Sequence, residues 1–198
     1  MIKLKQLGQA IKALKSEKLG DFAVLKANAF GAKMNPEIES QMQQVVGYHP
    51  RINIEKLSQL PNGTFGHEYA RHMQGNNLKP FNISPELSDV AKQNVFALRY
   101  AVTHDIFHVL LGFDTTYAGE IGVLAFASEQ NYSKGLKIGL WMAMAIYPIL
   151  APSQFKDIFA NVRKGREMGR KVKFMLGYRF EEHWEQPLDE VKAELGFT

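Results

Sequence analysis

The stretch from Ser84 to Leu111 constrains the fold most. A serine able to cap is followed by proline in the first helical position, and then by no further proline or glycine until Gly112, which predicts one long helix. Val95, Leu98, Val102 and Ile106 recur at helical spacing as one apolar row, so much of this helix is expected to be buried. Arg99 and Tyr100 then need polar partners, because an unpaired polar group away from water is costly. His104 and His108 are four residues apart and project within about 40° of each other, which lets both imidazoles reach one ion. Asp105 falls about 60° from His108 and can join from the same side.

Gly112 supplies the backbone that helix ends favour, and Asp114-Thr115-Thr116 offers caps for a second helix. Glu120 lies one turn into that helix, where a tight antiparallel return would carry its carboxylate back to the histidines. His104, Asp105, His108 and Glu120 are therefore the candidate metal ligands, and through the metal the candidate catalytic residues. A histidine on an apolar helix is often a satisfied core residue, but two at this spacing beside two acids favour a ligand role. The zincin pattern has glutamate directly after its first histidine; Asp105 stands there instead, which argues against a metalloprotease. The His-Asp pair is also found in HD-type phosphohydrolases, whose further separated ligands have no counterpart here. Zinc suits the ligand types, and two histidines with a carboxylate also suit iron; manganese and magnesium stay open.

With 198 residues, 45% of them hydrophobic, the chain can bury a sizeable core, and one domain over residues 1–198 is expected. It has no cysteine, which removes disulfides, thiolate zinc sites and cysteine nucleophiles together. The net charge of +4 is modest and no aromatic-interleaved basic module is present, so nucleic acid is not an expected partner. The amino terminus lacks the apolar run of a secretory signal and the arginine-rich pattern of a transit peptide, giving a bacterial cytoplasm as the expected setting. Ile138 to Ala151 is strongly apolar but too short to span a bilayer, which leaves peripheral contact with a membrane surface.

Elsewhere the pattern is helical throughout, with no internal repeat and no strand alternation, so the fold class is all-α. Leu4, Leu7, Ile11 and Leu14 alternate with lysines in an amphipathic basic helix. Asp21 to Phe30, Asn35-Pro36-Glu37 to Val45, and Ile54 to Leu60 read as short helices. Gly63 to Arg71 runs from a turn into a helix with His67 and Arg71 on one face; this is either an anion-holding start or an ordinary capped helix. Tyr117 to Gln130 and Ser133 to Leu150 suggest an adaptable apolar interior rich in methionine and aromatic residues, either ordinary core or a place that a lipid tail could occupy. From Arg163 to Lys173 six basic residues meet one acid, Glu167, forming either a solvated face or a patch for anionic membrane or a phosphorylated ligand.

His-Asp-x-x-His, eleven residues, then Glu resembles the signature of the fourth-protein family of coenzyme Q (ubiquinone) biosynthesis, matched by His104, Asp105, His108 and Glu120. Gly63 to Arg71 and the ending Glu182-His183-Trp184-Glu185 through Leu195-Gly196 resemble it too, so the similarity covers roughly residues 20 to 198. The resemblance implies a single-domain multi-helix bundle, peripheral on membranes, that holds a divalent metal in this motif and takes a polyprenylated quinone precursor in its apolar interior. It implies either an enzyme that removes the ring carboxylate with hydroxylation at the same carbon, or a non-catalytic lipid-binding scaffold for the other quinone-biosynthesis proteins. On that view His67, Arg71, Tyr117 and Trp141 are candidates to contact the head group or prenyl tail. Exposed apolar helix faces make a homodimer the expected assembly.

Overall fold

The computed structural model describes residues 4–16, 18–29 and 33–197. Among them the one β feature is an isolated antiparallel bridge between Thr64 and Pro187, and the fold is all-α as the periodicity predicts. In chain order the helices are α1 (Leu4–Lys15), α2 (Leu19–Ala29), the short α3 (Glu39–Met42) and α4 (Ile54–Leu57), α5 (Phe65–Gly75), α6 (Ser88–Gln93), α7 (Val95–Leu111), α8 (Tyr117–Glu129), α9 (Lys134–Leu150), α10 (Phe155–Lys171) and α11 (Leu188–Leu195).

The long helix expected from Ser84 to Leu111 is divided. Asn94 leaves the helical conformation, and its side chain accepts the Ala97 N–H at 3.1 Å as the N-cap of α7. Ser84 donates from its backbone N and its hydroxyl to the buried Asp21 carboxylate at 2.8 and 2.6 Å, fastening the lead-in to α2. The expected end of α2, Phe30 and Gly31, lies outside the described residues. So do the side chains of Leu4, Leu7 and Leu14, while Ile11 is half exposed and Ala10 and Ala13 face the core in its place.

α7 runs through the middle of the protein, flanked by α2, α5 and α8. Its Phe107 meets Phe126 of α8 and Phe180 of the C-terminal segment edge-on in the main core, and Val102 and Leu98 pack with Val24 of α2. Arg99 is fully buried and donates to Glu181 and to the Tyr178 carbonyl, each at 2.8 Å, so the C-terminal segment is pinned to the central helix. Gln130, just after α8, adds a second clamp by donating to the Gly169 carbonyl at 2.9 Å and accepting from the Met175 N–H at 3.2 Å.

α8 and α10 approach closely because both are glycine-bearing at the crossing. A Cβ on Gly165 would run into the Gly122 carbonyl, and one on Gly122 would meet the Phe113 ring at 2.8 Å. The interior expected across Tyr117 to Leu150 is realised by α8, most of which is buried. α9 buries only Leu140 and Ala143, with Leu136, Met144 and Tyr147 half-buried against the core, while Ile138, Trp141, Met142, Ile146, Ile149 and Leu150 face outward.

Candidate metal centre

The turn between α7 and α8 builds the site. Gly112 takes the left-handed conformation (φ 69°) and returns its N–H to the His108 carbonyl at 2.9 Å, ending α7 where the sequence predicts. Asp114 Oδ1 accepts from the Thr116 N–H and hydroxyl at 3.1 and 2.6 Å, and Thr116 caps α8 by accepting from the Gly119 N–H at 3.3 Å. A Cβ at position 119 would strike the Asp114 backbone, so glycine keeps this corner tight and sets Glu120 against α7.

Glu120 lies between the two histidines. Its Oε2 is 3.5 Å from His104 Nε2 and its Oε1 is 3.3 Å from His108 Nε2. One ligand atom from each of these three residues falls within a 4.8 Å group able to hold a metal ion. Ligand atoms on a tetrahedral zinc with bonds of about 2.0–2.2 Å would stand roughly 3.3–3.6 Å apart, a spacing that each histidine already has to one Glu120 oxygen.

The imidazole of His108 supports that fit. It is buried, and Nδ1 lies 3.1 Å from the Phe113 carbonyl, which can only accept, so Nδ1 carries the proton. Nε2 is buried and has no hydrogen-bond partner of good geometry, only the Glu120 oxygen beside it. A buried lone pair left free next to a carboxylate, with the opposite nitrogen tied to backbone, is the arrangement a metal-ligating histidine requires. Burial acts to lower the His108 pKa, but the Glu120 carboxylate, the Phe113 carbonyl and Asp105 outweigh it and raise it above the ordinary histidine value.

Asp105 stands apart from the group of three. Its Oδ1 is 3.7 Å from His104 Nδ1, on the opposite side of that ring from Glu120. Three neighbouring aromatic side chains surround the centre. Tyr100, one turn before His104, packs edge-on to it with ring centroids 6.0 Å apart, and burial with the Glu120 charge raises its pKa well above the usual tyrosine value. Tyr147 of α9 also feels Glu120, and packs edge-on to Tyr117 at 4.9 Å. His72 of α5 stacks on His108 with centroids 5.6 Å apart and planes 17° apart, its buried Nε2 unpartnered. Burial, then the His108 charge, lower the His72 pKa against partial offset from Asp105 and Glu120.

His72 was not singled out from the sequence; the signal was its place on α5 one residue after Arg71, on a helix already marked by His67. Of the residues that were singled out, Arg71 pairs closely with Glu68, and His67 Nδ1 lies 3.5 Å from the same carboxylate. Both sit on α5, and Glu68, Arg71, His72 and His108 share one cleft beside the centre. Tyr117 is partly exposed at the start of α8, and Trp141 is 67% exposed on the outer face of α9.

Tyr100 also lines a mostly apolar cavity of about 960 Å³ between α2, α7 and the start of α9. Phe22, Met34, Phe96 and Leu136 help to line it, with Lys33 and Lys134 among its few charged residues.

The sequence profile of the family described as "Coenzyme Q (ubiquinone) biosynthesis protein Coq4" matches residues 6–198. The chain belongs to the Coq4 family. A Xenopus tropicalis protein named as a mitochondrial ubiquinone biosynthesis COQ4 homologue is 28% identical over 202 residues, covering 96% of this chain and 71% of that protein. The human homologue is 27% identical and covers 96% of this chain and 76% of its own length. A solved structure from Nostoc punctiforme, of a protein assigned to ubiquinone biosynthesis, superposes with a TM-score of 0.66 at 23% identity over 98% of this chain and 93% of that one. That likeness speaks to the fold alone; the family and its role in ubiquinone biosynthesis rest on the sequence match.

Proposed function

We propose that this protein binds a polyprenylated aromatic precursor of ubiquinone, its tail in the cavity between α2, α7 and α9 and its ring at the His104–His108–Glu120 centre, where a divalent metal, favoured as zinc, takes part in exchanging the ring carboxylate for hydroxyl. The observation that carries this reading is that cavity and centre adjoin through one side chain: Tyr100 lines the cavity and packs on His104. An apolar cleft of several hundred Å³ with a few polar groups at one end is the form a lipid-like ligand needs, and burial of a long tail contributes about 25 cal/mol per Å².

When bound, the metal would supply Lewis-acid polarisation of a phenolate or carboxylate oxygen. His104 and His108 would hold it through Nε2, with Glu120 as the third ligand. Asp105 either adds a ligand or, from its place beside His104 Nδ1, fixes the tautomer that leaves Nε2 free. Tyr100, its proton held by burial, would present a hydroxyl donor toward the ring and separate the apolar tail from the polar centre. The exchange releases carbon dioxide and oxidises the ring carbon by two electrons, so an oxidant of the dioxygen class is a required co-reactant.

The scaffold reading, in which the same site holds the lipid and presents it to other ubiquinone-biosynthesis proteins, shares every binding feature and differs only in turnover. Metal-loaded protein given a prenylated hydroxybenzoate and oxygen is expected to release carbon dioxide; none released with lipid bound identifies the scaffold. His108→Ala is expected to reduce metal content to background while leaving far-ultraviolet circular dichroism close to wild type, and wild-type metal content in that variant would refute the ligand assignment. The protein would associate peripherally with the bacterial membrane, and as a homodimer. Native mass spectrometry of protein from membranes reads metal, lipid and subunit number together. Among the described residues no single helix is long and apolar enough to cross a membrane.

A further inference from the structure

α9 and α10 diverge from the turn at Ala151, their axes bent by 114°, with α8 as the floor of the space between them. Near the turn both helices expose large apolar side chains: Ile149 and Leu150 on α9 are 78% and 56% exposed, and Phe155 and Phe159 on α10 are 53% and 40% exposed. Away from the turn the character changes. Phe155, Phe159, Arg166 and Arg170 are spaced four, seven and four residues apart, so the apolar row of α10 continues as a basic one on the same face. Lys137 comes from the opposite helix. Lys137, Arg166 and Arg170 line a cleft of about 360 Å³ with Ser128, Glu129 and the exposed Trp141. Glu129 faces Arg170 at 3.2 Å and neutralises one of the three cations, which leaves the cleft positive.

We propose that this cleft seats the phosphate of an anionic phospholipid, with the apolar ends of α9 and α10 in the acyl layer and Trp141 at the interface. The inference rests on the peripheral-membrane reading above and adds to it a headgroup site separate from the metal centre. The charge complements an anionic headgroup, and the apolar row continuous with it says on which side the acyl chains lie. An indole with an apolar body and a polar N–H suits the boundary between them.

The test is co-sedimentation with vesicles of phosphatidylcholine alone and of phosphatidylcholine mixed with phosphatidylglycerol. The wild-type protein should bind the mixed vesicles more tightly. Removing one cation near a lipid surface lowers affinity about fivefold, so Lys137→Ala with Arg166→Ala should weaken binding to mixed vesicles roughly twenty-five-fold and leave binding to neutral vesicles unchanged. The charge-keeping pair Lys137→Arg with Arg166→Lys should retain the preference, as should Lys56→Ala on the distant α4. Equal binding of wild type to both vesicles, or a preference that survives the alanine pair, overturns the headgroup site alone. Binding to neither vesicle overturns the membrane reading itself.

Discussion

α7 and α9 are each seventeen residues long, each dominated by apolar side chains, and each begins behind a capping Asn or Ser, yet they end in opposite environments. Eleven residues of α7 are buried, against two of α9. What separates them is the polar content inside the apolar run. α7 carries Arg99, Thr103 and His108 into the core, and each has a partner: Glu181 and the Tyr178 carbonyl, the Arg99 carbonyl, and the Phe113 carbonyl. α9 has charge only near its start, at Lys134 and Lys137, and nothing along its outer face that asks for a partner. A helix surrounded on all sides has its polar groups fixed by their neighbours; one packed on a single side leaves an apolar surface open.

The largest effect is expected where α7 depends on its buried pair. Arg99→Ala leaves Glu181, whose side chain is 4% exposed, as an uncompensated buried carboxylate. Breaking such a pair from one side costs about 3–5 kcal/mol, which lowers Tm by roughly 10 °C in a chain of this size. Thermal unfolding followed by circular dichroism measures it, and a fall of a degree or two would mean that α7 is not held by this contact. The same chemical change on the two helices then separates them directly. Ile106→Ala on α7, at 0% exposure, should cost about 2–5 kcal/mol, and Ile146→Ala on α9, at 44%, should stay within about 0.5 kcal/mol by urea midpoint. Equal costs would show that α9 is covered in solution.

The candidate metal centre is legible because its signals are local. Histidine spacing, Gly112, the Asp114–Thr116 caps and Glu120 lie within seventeen residues, and helical geometry alone converts that pattern into a converging site. The neighbours of the centre were less legible because they arrive through tertiary packing. His72 comes from α5, and the tail-sized cavity draws on α2 and residues near Met34, where nothing in the sequence marks a wall. Asn94 as a cap was hidden inside a run of good helix formers. What covers the outer face of α9 is not legible in its pattern, since a strongly apolar helix looks the same whether that face meets a core, a bilayer or another chain.

A smaller effect tests how α7 is tuned. The raised pKa of His108 means that a proton is held on Nε2 to higher pH than on an ordinary histidine, and that proton occupies the nitrogen the metal needs. Metal affinity should therefore begin to fall while the pH is still above 6.5, and then drop about tenfold per pH unit for each proton displaced. Chelator competition across pH 5 to 8 measures this. Glu120→Gln removes the charge that raises the His108 pKa, so the proton-competition part of the profile should move to lower pH even as the overall affinity weakens. An unmoved onset would place the proton elsewhere.

The smallest effect on the fold is expected at the tip of α9, and it sharpens the contrast most. Ile149 is 78% exposed, so Ile149→Ser removes almost no buried area and should change unfolding free energy by under about 0.5 kcal/mol. If the open face of α9 meets lipid, the same change removes an apolar side chain from the acyl layer and should weaken binding to neutral and anionic vesicles alike, by about fivefold. A comparable loss in unfolding free energy with vesicle binding intact would mean instead that Ile149 packs against protein. The two measurements give opposite answers for α7, where Ile106→Ala should unsettle the fold and leave the lipid-facing surface unchanged.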